Sequence, residues 1–177
     1  MAVDKNKLKE VQSEIDFEKN KYDLTLNTSK GDINIEFFPD IAPGHCKNML
    51  GLAKLGFYDN LVFHRVISGF MIQGGCPEGT GMGGPGFNID AEFSDRPHDL
   101  GVLSMARAQN PNSAGSQFFL CLENARFLDG QYTVFGSAKD DGSKDIVKSI
   151  GGTQTSAGDR PIEDIMINTA VVTETPL

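Results

Sequence analysis

Apolar and polar residues alternate along most of this chain, the period-two pattern of strands with one buried face. Tyr22, Leu24 and Leu26 alternate with polar neighbours, and so do Ile33, Ile35 and Phe37; Ser29-Lys30-Gly31-Asp32 between them is turn chemistry. A β-hairpin is predicted there. Further strands are predicted in Phe63–Gly75 (FHRVISGFMIQGG), Gly101–Ala106, Ser116–Leu122 and Thr133–Ala138, with Ile165, Ile167, Thr169 and Val171 closing the chain. The helical period surfaces in few places. Pro43 suits a first helical position, Cys46, Met49, Leu50 and Ala53 share a face, and Lys54 and Gly56 suit the end, so a helix is predicted over Pro43–Leu55. Ser143 is expected to cap another, with Ile146, Val147 and Ile150 inward and Gly151 at its end. Leu8, Val11 and Ile15 form only a thin stripe, enough for a short surface helix.

About eight short strands and two substantial helices spread along the chain point to a β-barrel or sandwich rather than alternating β-α units. Barrel closure would also remove exposed sheet edges. No internal repeat or linker interrupts the pattern. The expected organisation is an N-terminal helical extension over 1–20, then one domain over 21–177.

Phe63–Gly75 stands apart chemically. Its turn is centred near Gly69, which places Arg65, Met71 and Gln73 on one face. A cation, a soft apolar group and an amide converge there, an unusual set for a core hairpin. In Ser116–Leu122, Gln117 and Phe119 share one face and Phe118 and Leu120 the other, so that strand is buried on both sides or lines a pocket.

Composition narrows the function classes. The net charge of −8 argues against a binder of nucleic-acid phosphates. No apolar run reaches the ~18 residues of a membrane helix, and the amino terminus lacks a leader's apolar core. Cys46, Cys76 and Cys121 are odd in number and widely separated, which indicates neither a disulfide framework nor a cysteine zinc site. A cytoplasmic protein is expected.

Familiar chemistries fit poorly. Gly79-x-Gly81-x-x-Gly84 matches a dinucleotide fingerprint, yet Pro85 and Gly86 follow where a phosphate-capping helix should begin. His64, Ser116 and an acid could compose a triad, but no G-x-S-x-G elbow surrounds a serine. His45, His64 and His98 are scattered, so no metal set is expected.

FHRVISGFMIQGG, GTGMGGPGF, LSMARAQNPNSAGSQFFL and FLDGQYTVFG together resemble the cyclophilin-type peptidyl-prolyl isomerases, in order and spacing, from about Tyr22 to Val172. Met105-Ala106-Arg107 and the Gly-Pro-Gly loop resemble the bacterial branch. The resemblance implies a mainly β fold, a closed eight-stranded antiparallel barrel capped by two α-helices, with the active groove on its outer wall. It implies Arg65 as the catalytic residue and Phe70, Met71, Phe119 and Leu128 as walls of a proline pocket. Gln73 and Gln117 match amides that hold substrate backbone, and Ala106 and Arg107 lie on the segment that pairs with the peptide. Phe127 stands where eukaryotic members carry Trp, and Tyr132 where they carry His. Loss of the indole N–H implies weak cyclosporin binding, since Phe has no donor. Ser68 replaces a frequent Pro in the turn. The function implied is a cofactor-free isomerase, monomeric, acting on proline-containing peptides and on folded or unfolded client proteins. A binding module with the same pocket and little turnover is the rival; Arg65 with both glutamines favours the enzyme.

Overall fold

A computed structural model describes residues 2–177. Nine strands form one antiparallel sheet: β1 (Asn20–Thr28), β2 (Gly31–Phe37), β3 (Leu61–Val62), β4 (Arg65–Ile67), β5 (Met71–Gly74), β6 (Val102–Met105), β7 (Phe118–Cys121), β8 (Val134–Ala138) and β9 (Met166–Pro176). Their lateral order is β3-β9-β1-β2-β8-β6-β7-β5-β4. The two end strands, β3 and β4, are separated only by Phe63 and His64. Phe63 N–H donates to Ile165 O, so the junction still belongs to the wall. Taken as one bent strand, β3 and β4 bring the count to the expected eight and return the sheet onto itself. The curled sheet encloses a core that includes Leu24, Leu26, Ile33, Ile35, Ile72, Leu103, Phe118 and Phe135, all fully buried.

Three helices cover the sheet: α1 (Lys5–Ser13), α2 (Pro43–Lys54) and α3 (Asp141–Gly151). The Asp4 carboxylate caps α1 by accepting from Asn6 and Lys7 N–H. Helix α2 starts after Ala42, which has no capping group. The carboxylate of Glu92 takes that role from across the chain, accepting from Gly44 N–H (3.1 Å) and His45 N–H (2.7 Å). It also lies 2.6 Å from His45 Nδ1. Helix α3 begins earlier than the sequence suggested. Asp140, not Ser143, is its cap and accepts from Ser143 N–H, because the buried Ser143 Oγ accepts instead from Asn34 N–H of β2. No helix among the described residues is long and apolar enough to cross a membrane.

A remote cap is easily tested. Glu92→Ala is expected to destabilise the fold by about 0.5–2 kcal/mol, as for loss of a helix cap, visible as a lower urea midpoint. An unchanged midpoint would mean that water replaces the carboxylate at no cost.

Candidate active site

The β4–β5 hairpin pairs Arg65 with Gln73, Val66 with Ile72 and Ile67 with Met71. Gly69 turns it at φ +73°, a conformation that favours glycine. Val66 and Ile72 therefore enter the barrel core, while Arg65, Met71 and Gln73 face outward together. Strand β5 then pairs with β7, setting Gln73 opposite Phe119 and Met71 opposite Cys121. Outside the barrel these strands carry a second apolar cluster, with Met71, Val102, Phe119, Cys121, Leu128 and Val134. Its upper surface is a hollow.

That hollow, of about 280 Å³, is bordered by Arg65, Phe70, Met71, Gln73, Ala106, Arg107, Phe119, Phe127, Leu128 and Tyr132. Every candidate from the sequence except Gln117 lines it. Met71, Phe119 and Leu128 form a floor that is nearly inaccessible to solvent. Phe127 stands at the rim, 69% exposed, with its ring 5.5 Å from that of Phe70. Leu128 is placed by a 3-10 turn, Arg126–Leu128.

One wall is a row of polar groups. Arg65 Nη1 donates to Gln73 Oε1 (3.2 Å), and Gln73 Nε2 donates to Gln117 Oε1 (3.0 Å). Gln117 Nε2 then donates to both Gly81 O and Gly83 O at 2.9 Å. Gln117 thus lies behind Gln73 and lines a second, neighbouring hollow of about 630 Å³, which shares Gln73, Ala106 and Arg107 with the first. On the opposite wall the Arg107 guanidinium is occupied within the protein. It donates to the carbonyls of Gln131, Ala108 and Gln109 and lies 4.4 Å over the Tyr132 ring. Its side chain therefore acts on the hollow by fixing Tyr132. Ala106 N–H is bonded to Gln117 O, which ties the end of β6 to the approach to β7.

Sequence reasoning passed over the group beneath the floor. His98 is fully buried, and its ring stacks on Phe119 with centroids 6.2 Å apart and planes 12° from parallel. Its Nδ1 lies 2.9 Å from Asp129 Oδ1 and its Nε2 2.9 Å from Ser104 Oγ, whose one hydrogen serves Nε2 or Thr133 O. Asp129 directly follows Leu128, so His98 links the floor to the turn that carries the pocket wall. No local pattern announced it, because its partners come from three other segments.

Burial lowers the pKa of His98, although the hydrogen bond and charge of Asp129 oppose that shift. Burial likewise lowers His45 against the pull of Glu92, and His64, where the charges of Arg160 and Arg65 add to the effect. The unfolded chain therefore takes up protons first, near the ordinary histidine value of about 6.5. Stability should fall as pH drops below that value and level off once the folded histidines titrate. Asp129, held low mainly by His98 N–H, adds a loss at more acid pH. Melting midpoints from pH 7.5 to 5 check the trend; a flat profile contradicts it.

The competing chemistries do not assemble. Ser116 Oγ donates to Gly75 O, and His64 Nδ1 has no hydrogen-bond partner among the described residues, so no triad forms. The glycine-rich run over 79–84 leads into further irregular chain, with no helix to receive a phosphate. Cys46, Cys76 and Cys121 are buried free thiols, and burial pushes Cys121 up to about 12.

A curled antiparallel barrel carrying an arginine-flanked apolar hollow on its outer wall is the arrangement that the sequence resemblance implied. The family model for the cyclophilin type peptidyl-prolyl cis-trans isomerase/CLD matches residues 23–172. The chain belongs to that family, and it is a peptidyl-prolyl cis-trans isomerase. A peptidyl-prolyl cis-trans isomerase of Synechococcus elongatus is 53% identical over 125 residues, covering 71% of this chain and 86% of that protein. One of Helicobacter pylori is 52% identical over 114 residues, covering 63% and 69%. Among solved structures, a cyclophilin-type isomerase of Cryptosporidium parvum, crystallised in the presence of the dipeptide Ala-Pro, superposes with a TM-score of 0.81. It is 36% identical and covers 86% of this chain and 99% of its own.

Proposed function

We propose that the smaller hollow receives the substrate proline and that Arg65 is the catalytic residue. One observation carries this reading: at an apolar hollow floored by Met71, Phe119 and Leu128, the Arg65 guanidinium stands at the border while that of Arg107 is occupied by main-chain carbonyls. Rotation about an X-Pro bond must overcome a resonance barrier of ~18–20 kcal/mol. As the bond twists, the prolyl nitrogen becomes pyramidal and gains a usable lone pair. A guanidinium beside it donates to that lone pair only in the twisted state, which is selective binding of the transition state. Arginine suits the task because it stays charged and its donor fork is rigid. Gln73 holds Arg65 in place, so little reorganisation accompanies the reaction.

Bringing a step of tens of seconds to milliseconds needs about four decades, or ~5–6 kcal/mol. One charge-assisted hydrogen bond supplies ~1.5–3 kcal/mol. Clamping the ring between Phe70, Met71, Phe119 and Leu128, with Phe127 and Tyr132 at the edges, supplies part of the rest by excluding water from the amide. Gln73, held from behind by Gln117, grips the flanking backbone together with the main chain at Ala106 and Arg107, so that one side of the bond turns while the other is fixed. Rotation transfers neither electrons nor groups and calls for no cofactor.

The same reading makes residues 21–177 the isomerase domain and 1–20 its N-terminal extension. Its substrates are proline-containing segments of folded and unfolded client proteins. A cytoplasmic enzyme agrees with the three free thiols, and on this reading it acts as a monomer. The acidic balance argues against nucleic acid as a partner, and Phe127 at the rim argues for weak cyclosporin binding. Titrating methyl-labelled protein with a capped Ala-Pro peptide tests the placement. Saturable shifts are expected at Met71 and Leu128; shifts confined elsewhere would sink it.

A further inference from the structure

The larger hollow has a wall that the barrel alone does not hold. Gly83, Gly84, Pro85 and Gly86 form its outer side, and a chain this rich in glycine loses much entropy on being fixed. From the barrel side, Gln117 grips Gly81 O and Gly83 O, while the sulfur of Cys76 accepts from Gly81 and Gly83 N–H at 3.3 Å. Beyond Gly83 the grip comes from the other end of the sequence. Val3 N–H donates to Pro85 O at 2.9 Å. Gly86 has φ +93°, and a Cβ there would come within 2.9 Å of Ala2 Cβ, so the Ala2 methyl packs directly on the bare glycine backbone.

The N-terminal segment is itself firmly seated. Leu8 and Ile15 are buried in the main core, and Asp16 N–H donates to the Tyr22 hydroxyl. Helix α1 crosses α2 at Gly51, where a Cβ would meet Leu8 Cδ1 and Gln12 Cγ at 2.9 Å. Asn48 of α2 in turn donates to Gly115 O (2.7 Å), and a Cβ on Gly115 would lie 2.8 Å from Pro85 Cδ. The contacts thus close a ring from Pro85 through Val3 and α1 to α2, then through Gly115 back to Pro85.

We infer that residues 2–16 are a positioning strap that shapes the larger hollow, and that through it the N-terminal segment sets how well the enzyme holds the substrate residues flanking the proline. This rests on the smaller hollow being the proline site, since the two share Gln73, Ala106 and Arg107. A minimal X-Pro substrate occupies only the smaller hollow and is indifferent to the strap. A longer peptide extends into the larger one and depends on it. None of residues 2–16 borders either hollow.

The test compares Val3→Pro, which deletes the one N–H that reaches Pro85, with Gly51→Ala, which places a methyl where α1 rests. A capped Ala-Pro dipeptide and a longer peptide with residues on both sides of the X-Pro bond serve as substrates. For both variants the dipeptide kcat/KM is expected to stay within about twofold of wild type. For the longer peptide it should fall about 3- to 10-fold, as for loss of one net hydrogen bond, through KM rather than kcat. Amide exchange at Gly83, whose N–H donates to Cys76 Sγ, should accelerate. Equal losses on both substrates would make the segment a mere structural support and overturn the inference. So would unchanged values on both, or unchanged exchange. If Gly51→Ala fails to fold, Val3→Pro still decides. Arg65→Ala is run beside them: full activity on the dipeptide would overturn the proline-site reading, while the exchange data report on the strap independently.

Discussion

Arg65→Ala is expected to lower kcat/KM on a short X-Pro peptide by roughly 10- to 150-fold, the worth of one charge-assisted hydrogen bond made in the transition state. The loss should appear mainly in kcat, because the lone pair that the guanidinium serves exists only in the twisted amide. Arg65 is exposed and bonded to Gln73 at the surface, so stability should change by less than about 0.5 kcal/mol. Arg65→Lys should rescue only part of the activity. A lysine keeps the charge but lacks the rigid fork that lets one guanidinium contact Gln73 and the prolyl nitrogen together. Isomerisation followed for wild type and both variants settles the assignment. An alanine variant at full rate would remove Arg65 from the chemistry.

Phe119→Ala should be costly for a different reason. The ring is buried, stacks on His98, meets Tyr132 edge-on at 5.9 Å, and forms the floor of the hollow. Truncation is expected to cost about 3–5 kcal/mol of stability, as for other buried aromatic groups. It also leaves His98 without its stacking partner and opens the pocket to water. Activity on an X-Pro peptide should fall with a rise in KM, even at a temperature where the variant remains folded. Phe119→Leu, which restores much of the volume, should recover most of the stability and less of the activity. Should Phe119→Ala melt with wild type in a denaturant titration, the ring would not be the keystone that its contacts indicate.

How much of this was legible beforehand depended on whether a residue's partner lay nearby in sequence. The β4–β5 hairpin was readable because its turn, alternation and odd arginine sit within thirteen residues of local pattern. The register Arg65 to Gln73 follows directly. Pairings across distant segments were not readable. Ser143 looks like a cap, yet its hydroxyl belongs to Asn34 of another strand, which leaves the role to Asp140. Glu92 carries no mark of capping a helix nearly fifty residues earlier. His98 looked like one of three scattered histidines, and only folding brings Phe119, Ser104 and Asp129 around it. The family resemblance named Gln117, whereas its place behind Gln73, gripping Gly81 and Gly83, required coordinates.

The longest ladder in the sheet joins β1 to β9 and runs from Asn20 paired with Pro176 to Thr28 paired with Ile167. During synthesis β1 is among the first strands made, but its partner on that side is the last. Until Met166–Pro176 leaves the ribosome, β1 keeps one edge bare and β3 has no neighbour at all. Pairing over so great a sequence separation is slow to form and exposes strands to aggregation in the meantime. The wall therefore closes only once Met166–Pro176 is free to pair with both β1 and β3.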